Sequence, residues 1–432
     1  MNFNLVEMYN GLLRFNKHIL NELAEGLKHL PNLDGVSKGD SLIINEQGNP
    51  AWGSTAFIPT FENAAYGLVP PLDGSDGDVG VRVPEFYMCV KDTGTKYQLW
   101  ISDFNIDGTF TRVHPFIISH TKTMTRTRED GKEEVFSACI KHDDTRYLGG
   151  NKSSSIVATK LQGRPRTDIT YDKANEFCTN RGDWITMIDY LEYCALQALC
   201  YIEYANFDNQ AALNTNLTSD GFKQGGLGAG VTNLDWDRWT AFNGNNPIVQ
   251  TYWTAEHNIG NGSTNGDHYE LGNYNVDGSN LNTYPAVYRG ILNFFGDIWT
   301  FIRDVAIINR NVNYNSVYLL KKSVNHSDIT IDNIQDKCYF IGDQANTNNF
   351  ITEFDFRFGP YFVPNKVGTN KKADHNWKKG NDGQDTDKTV RVLLLGGNAH
   401  YGSKAGSGDF HSDWVRSASH ANVGFFTTVK LD

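Results

Sequence analysis

The groups best equipped for chemistry crowd into one segment near the C-terminus. Residues 398–422 carry His400, Tyr401, Ser403, Asp409, His411, Ser412, Asp413, Trp414, Ser417, Ser419, His420 and Asn422. They offer hydrogen-bond donors, acceptors and flat aromatic faces. A sugar ring is recognised by that mixture, with hydrogen bonds at its hydroxyls and an aromatic plane against its C–H face. The segment lies between two apolar strand signals, 390–397 and 423–429, and reads as a polar loop. Loops on a rigid scaffold carry recognition without disturbing the core. The same composition also fits a solvated surface, or a face packed on a neighbouring subunit.

Other constellations are weaker. Asp382, Asp385 and Asp387 sit in a Gly-containing turn whose oxygens suit a hard cation, but the EF-hand layout and its closing Glu are missing. Calcium is thus a minor alternative to an ordinary Asp-rich turn, and the expectation is no cofactor. His411 and His420 form the nearest histidine pair in the segment and have no Cys beside them, and no HExxH string occurs, so zinc is not expected. Gly402 to Gly408 reads GSKAGSG, which falls short of a GxSxG elbow. The glycines at 225–230 follow polar residues rather than a strand, which argues against a phosphate-binding loop. Asp235 and Asp237 flank Trp236 and suit a sugar cleft, though three residues alone say little. The six cysteines, Cys89, Cys139, Cys178, Cys194, Cys200 and Cys338, form no CxxC pair. They are expected to be buried free thiols of a chain folded in a reducing cytosol.

The elements that must position these groups are mostly short strands. Asn numbers 44, with 41 Gly and 12 % aromatic residues, which favours turns and structured loops over a helical bundle. Val79, Val81 and Val83 alternate, and apolar runs follow at 86–88 and 98–101, with Asp-Gly and Thr-Gly turns between. Two helices are predicted. The first spans about 170–178 with Ala174, Phe177 and Cys178 on its inner face, capped by Asp168 or Thr170. The second runs from about 184 to 205 with Ile188, Leu191, Ala195, Ala198, Leu199 and Ile202 on one face. It is apolar nearly all round, so it is expected to be buried. Residues 206–285 are polar and Gly- and Asn-rich but hold Trp236, Trp239, Tyr252 and Trp253, which indicates long ordered loops. The run 294–302 reads as an apolar strand.

At the other end, Leu5, Met8, Leu12, Phe15 and Ile19 step by three and four, continued by Leu23 and Leu27, and Pro31 ends the pattern. A lone helix cannot bury such a seam, so it packs on copies of itself or on its own chain. The net charge of −11 gives no general attraction to phosphate backbones or anionic lipid. No apolar run approaches a membrane span, and the first residues lack the basic and apolar regions of a signal peptide. No nucleic-acid partner and no membrane insertion are expected. Export would need another route, such as release with a particle.

Residues 34–53, DGVSKGDSLIINEQGNPAWG, resemble a hairpin of bacteriophage fibre and tail proteins. A longer ordered set follows. It comprises a helix with Ala174, Phe177 and Cys178, then Arg181-Gly182-Asp183-Trp184 before the buried helix. Next come Arg289-Gly290-Ile291 with Asn293, Phe295-Gly296-Asp297-Ile298-Trp299, Leu395-Gly396-Gly397 and Val423-Gly424-Phe425-Phe426. This order resembles the C-type lectin fold. It is closest to the branch shared by formylglycine-generating enzymes, retroelement variable tropism proteins and phage receptor-binding or decoration proteins. Ala399 stands where many members carry an aromatic and Phe426 where many carry Arg. His114-Pro115-Phe116 and Glu203, Tyr204, Asp208, Asn209, Gln210 look like a module of phage structural proteins.

The resemblance implies a strand-rich α+β protein in three parts. Residues 1–30 are an anchoring and oligomerising helix, 31–112 a hairpin and β-rich neck, and 113–432 a C-type-lectin-like domain with long loop insertions. It implies a virion-surface protein made in the bacterial cytoplasm. Such a protein is usually a homotrimer, attached through its N-terminus to other virion proteins and displaying its lectin-like domain to host cell-surface polysaccharide. The ligand candidates are His400, Tyr401, Ser403, Asp409, His411, Asp413, Trp414, Ser417, His420 and Asn422. A purely structural fibre or capsid decoration protein is the alternative. No catalysis is expected, because the thiols that formylglycine-generating chemistry needs in the C-terminal part are missing: no Cys lies beyond Cys338.

Overall fold

The computed structural model describes residues 62–65, 78–92, 97–102, 104–106, 108–137, 147–151, 165–204, 209, 273–276, 279–282, 287–309, 314–369, 374–378, 389–398, 401, 404–420 and 422–431. The N-terminal seam (Leu5, Met8, Leu12, Phe15, Ile19, Leu23, Leu27), the hairpin at 34–53, Asp235 and Asp237, and Asp382, Asp385 and Asp387 lie outside these residues. So does most of 206–285.

In chain order the main elements are β1 (Glu62–Ala65), β2 (Val79–Val83), β3 (Phe86–Asp92), β4 (Tyr97–Ser102), β5 (Thr111–Val113), β6 (Phe116–Ser119), β7 (Met124–Thr127) and β8 (Glu133–Phe136). Helix α1 (Tyr171–Arg181), β9 (Ile185–Met187) and helix α2 (Tyr190–Tyr204) follow. Then come β10 (Trp299–Asn309), β11 (Tyr314–Leu320), β12 (Cys338–Ala345), β13 (Asn349–Asp355), β14 (Val363–Gly368), β15 (His375–Trp377), β16 (Arg391–Leu395), β17 (Phe410–Val415) and β18 (Thr427–Lys430). The chain is strand-rich α+β, as its composition led one to expect.

One antiparallel sheet has the order β1-β2-β6-β18-β9. It joins the early and the last strands, with Val81 opposite Ile118 and Val429 opposite Ile117. A larger sheet runs β12-β11-β10-β16-β17-β15-β13-β14. It curls until its outer strands meet, with Gly342 of β12 against Val363 of β14. Buried amides tie β11, β12, β15 and β17 together. Asn315 donates to Gln344 (3.1 Å) and Ser412 (3.2 Å), and Gln344 donates to Asn376 (2.7 Å). These mutual hydrogen bonds offset much of the cost of burying the amides.

The larger sheet is covered on both faces. Leu393, Leu395 and Phe410 pack into one core with α2, while Val392, Leu394, Trp299 and Phe301 pack into a second with α1. This is the period of two expected of strands. The expected burial of α2 holds, since every residue from Tyr193 to Tyr201 is at most 1 % exposed. Truncating Leu199 to Ala there should cost about 2–5 kcal/mol.

Both helices begin where their sequence provides a cap. Thr170 accepts the amide of Lys173 at 3.2 Å. Asp189 and Glu192 cap α2 reciprocally: Glu192 N donates to Asp189 Oδ1 (2.9 Å) and Asp189 N to Glu192 Oε2 (3.0 Å). Lys430 of β18 donates to Asp189 (2.8 Å) and Tyr190 N donates to Asp304 of β10 (2.8 Å), so two sheets hold this helix end.

Three expectations change. Residues 185–187, read as the start of the second helix, form strand β9 against the last strand, and α2 starts only after the Asp189 cap. The apolar run 294–302 is not a strand throughout. Asn293 and Gly296 have left-handed φ of 55° and 78°, which bends the chain, and β10 begins at Trp299. Val81, Val83, Phe86, Met88, Ile101 and Val113 pack in the same cluster as α2. The polar loop 398–422 is interrupted by β17, a full member of the larger sheet.

The Arg181-Gly182-Asp183 string has a structural role at the end of α1. Arg181 pairs with buried Asp78 (2.6 Å) and Glu134 (3.3 Å), and Gly182 closes α1 with its amide on Cys178 O (3.1 Å). Among the described cysteines, Cys89, Cys178, Cys194, Cys200 and Cys338 are buried free thiols.

Candidate functional site

Strands β10, β15 and β17, with Tyr401 and His420 outside them, present a row of aromatic rings on the α1 side of the larger sheet. His375 and Trp377 of β15 lie 4.1 Å apart, and Trp377 lies 4.6 Å from Tyr401. Tyr401 reaches Trp299 (6.1 Å), Trp299 reaches His411 (5.1 Å), His411 reaches Trp414 (6.1 Å) and Trp414 reaches His420 (6.5 Å). Trp299 is buried at the centre, whereas Trp377, Tyr401 and Trp414 are half-buried and offer part of their surface to solvent. Lys404 places its ammonium 5.3 Å from the Trp377 ring.

His411 and Trp414 could not share a face on a regular strand, since residues three apart point to opposite sides. The register between β16 and β17 shifts between Val392 and Leu394, where Val392 faces Trp414 and Leu394 faces His411. This bulge inserts the extra residue that restores both rings to one side. The parallel pairing of β15 with β17 sets Trp377 opposite His411.

Beneath the row, α2 supports the segment 404–409 through a polar stripe at four-residue spacing: Tyr193, Gln197 and Tyr201. Tyr193 OH donates to Ser407 O (2.9 Å), and Gln197 donates to Tyr201 OH (2.7 Å). Tyr201 OH in turn donates to Asp374, whose other oxygen accepts Gly408 N at 2.8 Å. Asn209 accepts from both the amide and the hydroxyl of Ser407. Gly397 has φ 64°, and a β-carbon there would lie 2.6 Å from Ala405 Cα and from Asp409 Oδ2, so only glycine lets the segment fold over the carboxylate.

The structure separates the sequence-predicted residues into three groups. Tyr401, His411, Trp414, His420 and Asn422 gather around Trp299, with Trp299 N donating to Asn422 O (2.8 Å) and Trp414 Nε1 to Ala418 O (3.3 Å). Asp413 and Ser417 are exposed at the margin, and Asp413 accepts from Arg391 at 3.0 Å. Asp409 is fully buried below Tyr401 and is not displayed at all, which corrects its reading as a surface ligand group. His400 and Ser403 lie outside the described residues.

Burial sets the charge of this site. It pushes Asp409 well above the usual carboxylate range, reinforced by neighbouring Asp374 and only partly opposed by Trp377 and Lys404. Burial lowers His411 to about 4, with Arg391 adding to the effect, and lowers His375 to about 3, with Lys404 adding. Both imidazoles are therefore neutral at pH 7 and pack as aromatic faces.

Sequence reasoning missed Trp377, His375, Lys404 and Asp374. The available signal was the His-x-Trp alternation at 375–377, isolated between polar turns and short enough to pass as loop. It also missed the polar stripe of α2, which the four-residue spacing of Tyr193, Gln197 and Tyr201 displays. A separate concavity of about 710 Å³ is lined by Tyr171, Asp189, Arg303, Lys321, His326 and Lys430 among others, and none of the predicted ligand residues borders it. Among the described residues, no group of three or more His, Cys, Asp or Glu is placed to hold a metal ion.

No protein-family model matches the chain, and no curated protein does. Solved structures align only distantly. PvdO from Pseudomonas aeruginosa aligns over 87 % of this chain and 100 % of its own at 10 % identity and a TM-score of 0.33. Treponema denticola variable protein 1 aligns over 86 % and 100 % at 11 % identity and 0.27. The U1 variant of Major Tropism Determinant aligns over 80 % and 72 % at 10 % identity and 0.24.

Proposed function

We propose that this chain is a phage virion-surface protein whose C-type-lectin-like part binds host cell-surface polysaccharide through the row formed by Trp377, Tyr401 and Trp414. The observation that carries the reading is the partial exposure of these three rings beside Lys404, on a backbone fixed by two strands and by α2. Pyranose C–H faces stack on such rings, while Lys404, Asp413, Ser417 and His420 supply polar contacts at the edge. The role is binding without catalysis and without a resident cofactor. The phage assignment rests on the ordered sequence motifs and the fibre-like hairpin. In this reading the N-terminal seam assembles a homotrimer and attaches it to other virion proteins.

The test is adsorption of the purified chain to permissive host cells and to their isolated surface polysaccharide. Saturable binding, lost when Trp377 and Trp414 are both replaced by Ala, is the expected result. Failure to bind any permissive strain, with normal particle assembly, would leave the structural decoration role instead. Sedimentation of the full chain against one starting at residue 54 tests the seam. Equal protomer numbers in both would remove its oligomerising role.

A further inference from the structure

Lys122 lies on the bend that follows β6, and its side chain turns wholly inward, 1 % exposed. Its Nζ donates to the main-chain oxygen of Asn293 at 2.6 Å and sits 4.8 Å from the centre of the Phe426 ring. Asn293 and Asp297 are themselves buried, at 4 % and 0 % exposed, and Asn293 Nδ2 faces Asp297 Oδ2 at 3.5 Å. Asn293 Oδ1 accepts no hydrogen bond among the described residues. The two chain segments are held together by Leu292 N donating to His120 O at 2.7 Å. Tyr288, Phe294 and Phe295, all fully buried, belong to the same core as Phe426.

An amine, a carboxamide and a carboxyl buried together among aromatic rings are the parts of an amide-transfer reaction. We propose that Lys122 and Asn293 become joined by an intramolecular isopeptide bond, with Asp297 carrying the proton. Lys122 first passes a proton to Asp297, leaving a neutral amine and a carboxylic acid. Burial favours this, since desolvation lowers the Lys122 ammonium to about 8 against the opposing pull of Asp297. Nζ then attacks Cγ of Asn293 and a C–N bond forms. Asp297 gives its proton to Nδ2 and takes one from Nζ. The Cγ–Nδ2 bond breaks and ammonia leaves. No oxidant or co-reactant is consumed.

The bond would tie β6 to the approach to β10 across a sequence separation of 171 residues. The span includes the long polar stretch that follows α2. Closing so long a loop restricts the unfolded chain as a disulfide does. The described cysteines are all free, so a bond that forms without oxidation is the kind of staple open to this chain.

Intact mass spectrometry of the purified full-length chain, with a tryptic map, decides the matter. The expected result is a mass lower than the sequence mass by one ammonia and a branched peptide joining the segments of Lys122 and Asn293. Trypsin would then not cut after Lys122. The Asn293→Gly variant keeps a residue suited to the left-handed backbone and removes the carboxamide. It should show its full sequence mass and normal cleavage after Lys122. A wild-type chain with the full sequence mass and a linear peptide ending at Lys122 overturns the proposal. So does an ammonia loss that persists in Asn293→Gly.

Discussion

The hydroxyl of Tyr193 donates a 2.9 Å hydrogen bond to the main-chain oxygen of Ser407, 214 residues further along the chain. The most buried helix thereby fixes the segment that carries Lys404 and leads into β17. Replacing Tyr193 by Phe keeps the ring and leaves the buried Ser407 carbonyl without this donor. We expect a loss of about 1–3 kcal/mol in denaturant unfolding. Hydrogen exchange should also quicken at the amides of Ser407, Gly408 and Asp409. Unchanged exchange there would mean that Asn209 and Asp374 hold the segment unaided.

The exposed faces of Trp377 and Trp414 can be tested singly. Each change to Ala should weaken adsorption to host polysaccharide by about tenfold, the effect of losing one ring stack of ~1.4 kcal/mol. Trp184, 46 % exposed and outside the row, serves as the control, and its change to Ala should leave binding intact. Equal losses in all three variants would point to non-specific aromatic adhesion.

His411 makes stability depend on pH in a definite direction. Its folded value, about 4, lies below the usual 6.5, so the folded state prefers the neutral ring. That contribution is complete above about pH 6.5 and is lost as pH falls toward 4. Other buried groups titrate in the same range, so the informative quantity is the difference between wild type and His411→Gln. The wild-type advantage in unfolding free energy, from urea titrations, should shrink steadily from pH 7 to pH 4, by about 1 kcal/mol or more. A difference that stays flat with pH would show that the ring is not protected from protonation.

Arg181 should be intolerant of change despite its place in a turn. Its removal leaves Asp78, 2 % exposed, buried without its main counter-charge. Arg181→Met is expected to cost about 3–5 kcal/mol. The double change Arg181→Met with Asp78→Asn should recover part of the loss. If the double variant is no more stable than the single one, Arg181 acts through its packing on Phe136 rather than through its charge.

Local pattern made much of this molecule readable in advance. The inner face of α1, the burial of α2, the alternating strand at 79–83 and the turn-rich strand character each depend on neighbours a few residues apart. Periodicity reports such neighbours directly. The crowding of polar and aromatic groups at 398–422 marked, for the same reason, a segment whose rings the structure gathers around Trp299. Tertiary structure alone decided what that region is. It made 410–415 a strand, aligned His411 with Trp414 through a bulge set by β16, and brought in Trp377 from a parallel neighbour. It also buried Asp409 under Tyr401, and set Lys122 against Asn293. These outcomes depend on pairings between distant segments. Such pairings are chosen by how whole faces pack, and that choice leaves no periodic trace in the strands it joins.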